Sequence, residues 1–170
     1  MSEDTTFPLS RITTRYHELE DRILVSGQAP DDTVFNAWLT RRLLDRLVAS
    51  LARILSPADQ HGLDEILNDF AQDKAEAALT PTPAVTASAE GKCIDALITA
   101  IDLQHQPEQV RLIMRSTRPG AAVLSLTHRE LRQWLSIMRT AYKLAAWSTD
   151  AWPGWLIDRK GPPAARPALN

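Results

Sequence analysis

Displacing the chain against itself by 87 positions lays Ile23–Leu55 on Val110–Tyr142 without a gap, and the apolar positions coincide. Leu44, Leu47, Val48, Leu51, Ile54 and Leu55 fall on Leu131, Trp134, Leu135, Met138, Ala141 and Tyr142. A Leu-Thr pair precedes each run, Leu39-Thr40 and Leu126-Thr127, and Arg42 falls on Arg129. Periodicity of this kind points to two like units in one chain. It limits architecture far more tightly than chemistry.

Each copy reads as three strands and a helix. In the first, Arg11–Leu19 alternates with Ile12, Thr14 and Tyr16 on one face, Arg22–Gly27 gives a second strand and Val34–Leu39 a third. Gln28-Ala29-Pro30-Asp31-Asp32 suits the reversal between the last two, because proline fixes one backbone angle and aspartate bonds its own backbone. In the second copy Cys93–Leu103, Val110–Arg115 and Ala121–Leu126 take the same places, with Arg118-Pro119-Gly120 as the turn. Phe35, Ala37 and Leu39 match Ala122, Leu124 and Leu126, the period of two expected of a strand buried on one face. Thr40 and Thr127 then stand where a hydroxyl can accept from an orphaned helix amide, and Thr127 with Glu130 makes a capping box. From Leu44 to Leu55 and from Leu131 to Ala145, apolar residues recur at three, four and seven positions, one stripe of a helix lying on a sheet.

Between the copies, Ser56-Pro57 opens a further helix whose stripe is Leu63, Ile66, Leu67, Phe70 and Ala71. The expected organisation is one compact α+β domain. It comprises a first βββα repeat over 7–55, a connecting helix over 56–79, a flexible linker over 80–92, a second repeat with an aromatic extension over 93–159, and a disordered tail over 160–170. The two related repeats are expected to build an antiparallel sheet covered by helices. The Pro-, Thr- and Ala-rich linker is long enough for the halves to exchange between two chains.

A net charge of −2 and a pI near 6.1 provide no overall excess of cations to displace counterions from nucleic acid or an anionic membrane. Cys93 is the single cysteine, so neither an internal disulfide nor a cysteine metal cage can form in one chain, which fits a reducing compartment. Met1–Thr6 is polar and acidic, unlike a signal peptide, and no apolar run approaches a membrane span, so a cytoplasmic protein is expected.

Two groups of residues are candidates for a site. Arg41 and Arg42 follow the first cap, His128 and Arg129 the second, although acids are the favoured choice at helix N-termini. The same departure made twice suggests anion binding, a phosphate or carboxylate clamped by guanidinium groups; pairing with Asp45, Glu130 or Asp21 is the plainer reading. Trp147, Trp152 and Trp155 form the second group, able to act as a protein interface, to stack bases, or to fold back over the open end of the core. His17, His61 and His105 lack the paired spacing of a helical zinc site. No serine lies in a Gly-x-Ser-x-Gly elbow, and no glycine-rich phosphate loop occurs. The expectation is a non-enzymatic cytosolic interaction or assembly protein with no cofactor and no metal, homo-oligomeric or bound to a protein partner. The alternative is a binder of single-stranded nucleic acid or another polyanion through the basic helix starts and exposed tryptophans.

Overall fold

The computed structural model describes residues 5–56 and 63–157; Pro57, His61 and the 160–170 tail lie outside the described residues. Seven strands and four helices follow in order: β1 (Thr6–Leu9), β2 (Arg11–His17), β3 (Arg22–Gln28), β4 (Val34–Leu39), α1 (Arg41–Leu55), α2 (Leu63–Ala77), β5 (Cys93–His105), β6 (Gln109–Ser116), β7 (Ala121–Thr127), α3 (His128–Leu144) and α4 (Gly154–Ile157). The strands form one curled sheet of order β1-β7-β6-β5-β4-β3-β2.

The two ends of this sheet are consecutive in the chain, since Ser10 alone separates β1 from β2. The Ser10 amide and hydroxyl both donate to the Gln28 carbonyl, at 2.9 and 3.1 Å. Residues 6–17 therefore act as one strand bent at Ser10, pairing first with β7 and then with β3. β5 behaves in the same way. Its residues 93–97 run parallel to β4 and its residues 98–105 antiparallel to β6, with a register irregularity between Ile98 and Ala100 at the switch. An unpaired residue of this kind kinks a strand and increases its twist.

The registers on the two sides correspond. Thr6 lies opposite Ala121 and Leu9 opposite Leu124; 87 positions along, Cys93 lies opposite Val34 and Ala96 opposite Ala37. Ile23 opposite Leu39 recurs as Val110 opposite Leu126. The first hairpin departs from this rule: Ile23 faces Tyr16, but Val110 faces His105, two residues farther along the strand. An even slip leaves every side chain on its own face, whereas a slip of one would turn the apolar set outward.

The expectation of a wholly antiparallel sheet is corrected, because β1–β7 and β4–β5 are parallel. Each half is an antiparallel meander. Both first strands are long enough to reach past their own hairpin to the third strand of the other half, which runs in the same sense. β1, only four residues long and interrupted by Pro8, and the single-turn α4 are too short to carry a legible period and add to the expected elements.

α1 packs against β5, and α3 against β2, β6 and β7, so each long helix rests on the first strand of the opposite half. Leu44, Leu51, Leu131 and Met138 are fully buried, with Leu47 and Trp134 nearly so, in one cluster with Ile23, Val25, Leu39, Leu112 and Leu126. Residues 80–92 contain neither helix nor strand. The Val85 amide donates to Thr13 Oγ1 at 2.7 Å and Arg11 donates to the Pro83 carbonyl at 3.1 Å, which places the segment alongside β2. Among the described residues no helix is long and apolar enough to cross a membrane.

Closure demands space at Gly27, where a Cβ would lie 2.5 Å from Leu9 Cδ1. We expect Gly27→Ala to cost about 1–3 kcal/mol by forcing Leu9 aside. Leu51→Ala and Met138→Ala should each cost about 2–5 kcal/mol as cavity-forming truncations. Urea denaturation followed by circular dichroism measures all three.

Candidate functional site

Past α3 the chain turns back through Ala146, whose φ is +53°, and the Trp147 amide donates to the Tyr142 carbonyl at 3.1 Å. Trp147 meets Tyr16 and Tyr142 edge-on, with ring centroids 5.8 and 5.1 Å apart, and Trp152 meets Tyr142 at 5.1 Å. The Trp147 indole donates to Asp21 Oδ1 at 3.0 Å, the oxygen that also accepts from the Tyr16 hydroxyl at 2.8 Å. Burial and the hydrogen bond to Asp45 push the Tyr142 hydroxyl far above its ordinary pKa. Trp147, Trp152 and Trp155 are buried, at 9, 5 and 8% exposure. Of the three placements open to these side chains, the structure has the one in which they fold back over the core. Folding back over the open end of the core removes large aromatic surfaces from water, and Asp21 satisfies the one polar atom of Trp147.

The four basic residues at the helix starts part company. Arg41 lies 3.7 Å from Asp45, one turn along α1, and Arg42 is exposed. Thr40 Oγ1 accepts from the Leu43 amide at 3.3 Å. At α3 the capping box forms: Glu130 accepts from the Thr127 amide at 2.8 Å and Thr127 Oγ1 accepts from the Glu130 amide at 3.3 Å. His128 and Arg129 line a cleft of about 370 Å³ between α2 and the first turn of α3. The structure adds Lys74 and Arg132 to them, over a wall of Ala71, Ala75 and Ala78, and leaves Arg41 and Arg42 out.

α2 holds the least expected feature. Asn68, Gln72 and Ala75 form its buried face, at 6, 0 and 2% exposure. Leu63, Ile66, Leu67 and Phe70 are turned outward, at 63, 55, 62 and 67%. Their spacing of three, four and seven makes one continuous apolar stripe on the outside of the protein. The buried face is held to α3 by polar bonds. Arg132 donates to Asn68 Oδ1 at 2.7 Å, Gln72 Nε2 donates to the Arg132 carbonyl at 2.9 Å, and Gln133 donates to the Ala75 carbonyl at 3.0 Å. Arg132 also stacks over the Trp155 ring at 5.2 Å, and burial pushes its pKa down. Arg139 joins Glu76 at 3.5 Å and donates to the Leu156 carbonyl at 2.7 Å, linking α2, α3 and α4.

The stripe itself was legible; its direction was not. One signal was available. Arg132 interrupts the apolar face of α3 next to Leu131, and Asn68 and Gln72 share a face of α2, so polar surfaces are present to meet each other. The remaining chemistry is sparse. Burial, and then Asp95, push the Cys93 thiol above its ordinary pKa, away from nucleophilic use. Among the described residues no three His, Cys, Asp or Glu side chains converge on a metal position. No family model, curated protein or solved structure matches the chain.

These placements separate by stability. Trp152→Ala and Trp155→Ala should each lower unfolding free energy by about 3–5 kcal/mol as core truncations. Phe70→Ala, on the outer face of α2, should stay within about 0.5 kcal/mol of the parent. Denaturant titration of the three variants checks the contrast.

Proposed function

We propose that this protein is a non-enzymatic interaction module, built from two copies of one βββα unit, whose recognition element is the outer face of α2. The carrying observation is the inversion of α2, with its polar residues docked on α3 and Leu63, Ile66, Leu67 and Phe70 facing solvent. Four large apolar side chains within eight residues are what a helix presents when it receives another helix. The matched registers of the two halves, the paired caps at Thr40 and Thr127 and the reciprocal seating of α1 and α3 support the two-copy reading.

The partner is an amphipathic helix with basic residues beside its apolar stripe. α2 carries Asp64, Glu65, Asp69, Asp73 and Glu76 against a single Lys74. Glu65 and Asp69, together with Ile66, line a groove that continues to Gly154 and Trp155. A second copy docked antiparallel about a twofold axis would set the acids at 65, 69 and 73 against their own counterparts, an unfavourable like-charge edge. An anionic lipid surface meets the same repulsion.

Fluorescence anisotropy with two labelled helical peptides of one Leu stripe, one with Lys edges and one with Glu edges, tests this. The Lys peptide should bind and the Glu peptide should not. Phe70→Ser should weaken binding about 30-fold, the equivalent of a 2 kcal/mol hot spot, with unfolding free energy unchanged. Equal binding of both peptides, or a stable dimer in light scattering that Phe70→Ser dissociates, would reject the basic partner.

A further inference from the structure

We propose that the cleft between α2 and the first turn of α3 is a binding site for a phosphate monoester. Lys74, Arg129 and Arg132 bring three cations to its walls, His128 adds an imidazole, and among the described residues no acid lines it. Arg132 is 8% exposed, yet among the described residues its contacts are the Asn68 side-chain and main-chain oxygens, at 2.7 and 3.4 Å, and the Trp155 ring. All of these are neutral. A guanidinium taken out of water is ordinarily balanced by a carboxylate or a bound oxyanion, because neutral partners recover only part of its lost hydration. His128 lines the same cleft, with its ring 5.7 Å from that of His105 between centroids.

The side chains, and not the helix terminus, make this site. The capping box already engages the Thr127 and Glu130 amides. Two features narrow the ligand. The cleft, at about 370 Å³, has room beyond a lone oxyanion, and its alanine wall on α2 is apolar, so the phosphate carries a small aryl or sugar body. Three cations favour the dianionic monoester over a monoanionic diester such as the nucleic-acid backbone. The site stands apart from the outer stripe of α2 and does not depend on what that stripe binds.

The test is titration of the full chain, labelled with nitrogen-15, with inorganic phosphate, phenyl phosphate, a phosphotyrosine peptide, its unphosphorylated form, and a single-stranded DNA lacking terminal phosphates. Phenyl phosphate should shift the amides of residues 71–78 and 128–132 and bind at least about tenfold more tightly than inorganic phosphate. Binding should fall as pH drops through the second ionisation of the ester, near pH ~6, where the dianion is lost. Lys74→Gln and Arg129→Gln, both at the cleft mouth, should each weaken it about tenfold without changing the melting temperature. A phosphopeptide that binds more tightly than phenyl phosphate identifies a partner's phosphorylated side chain as the source; equal affinity identifies a small metabolite. Absence of shifts at millimolar phenyl phosphate, unchanged affinity in both variants, or equally tight binding of the DNA would overturn the assignment.

Discussion

Two bent strands hold this structure together. Residues 6–17 and 93–105 each pair twice, once with the hairpin partner of their own half and once, in parallel, with the third strand of the other half. Remove both parallel pairings and each half is left as a three-stranded meander with open edges, rows of unpaired amides and carbonyls that water or another chain would have to satisfy. With both in place the sheet curls round until its first and last strands are successive in the chain. The curl then dictates the rest. It brings β2 and β7 to the same helix, so α3 can cover both, and it draws Leu9 so close to Gly27 that a Cβ there would have to push the leucine aside.

The crossing treats the two long helices alike, and what covers them does not. α1 lies on β5 and remains partly open, whereas α3, on β2, is covered in turn by α2, α4 and the returning tryptophans. A helix covered on two sides needs a second contact face, and α3 provides it with Arg132, Gln133 and Arg139. These bonds fix orientation more than they add stability, since a polar contact gains only ~0.5–1.5 kcal/mol over hydration, while leaving one partner unsatisfied costs more. α2 can therefore dock in one orientation only, and that orientation sends its apolar stripe outward. Cationic cleft and apolar stripe are two sides of this one docking event.

Much of the fold was legible in local patterns. Alternation marked β2, β4 and β7, the capping hydroxyls marked the starts of α1 and α3, and the stripes through Leu51 and Met138 marked their buried faces. Those signals are short-range, arising within a few residues of where they are read. The candidate site was legible only in fragments. His128 and Arg129 stood out as cations where acids are favoured, but Lys74 and Arg132 are ordinary in their own helices and become neighbours only when α2 meets α3. The tryptophans were read by type, and type does not say whether an aromatic ring covers its own core or another protein's surface. Asp21, far away in sequence, decides that for Trp147.

What the sequence by itself determined is the six longer strands, the three long helices, the caps of α1 and α3, and the 87-residue correspondence between apolar positions, because each rests on backbone preference and hydrophobic period. What only the tertiary structure decided is which strands meet across the halves and which way α2 faces. Parallel pairing joins residues such as Thr6 and Ala121, and no local period encodes a contact at that separation. An amphipathic helix, likewise, carries two usable faces. The choice between them fell to Arg132, a buried charge that Asn68 partners and that an apolar stripe could not.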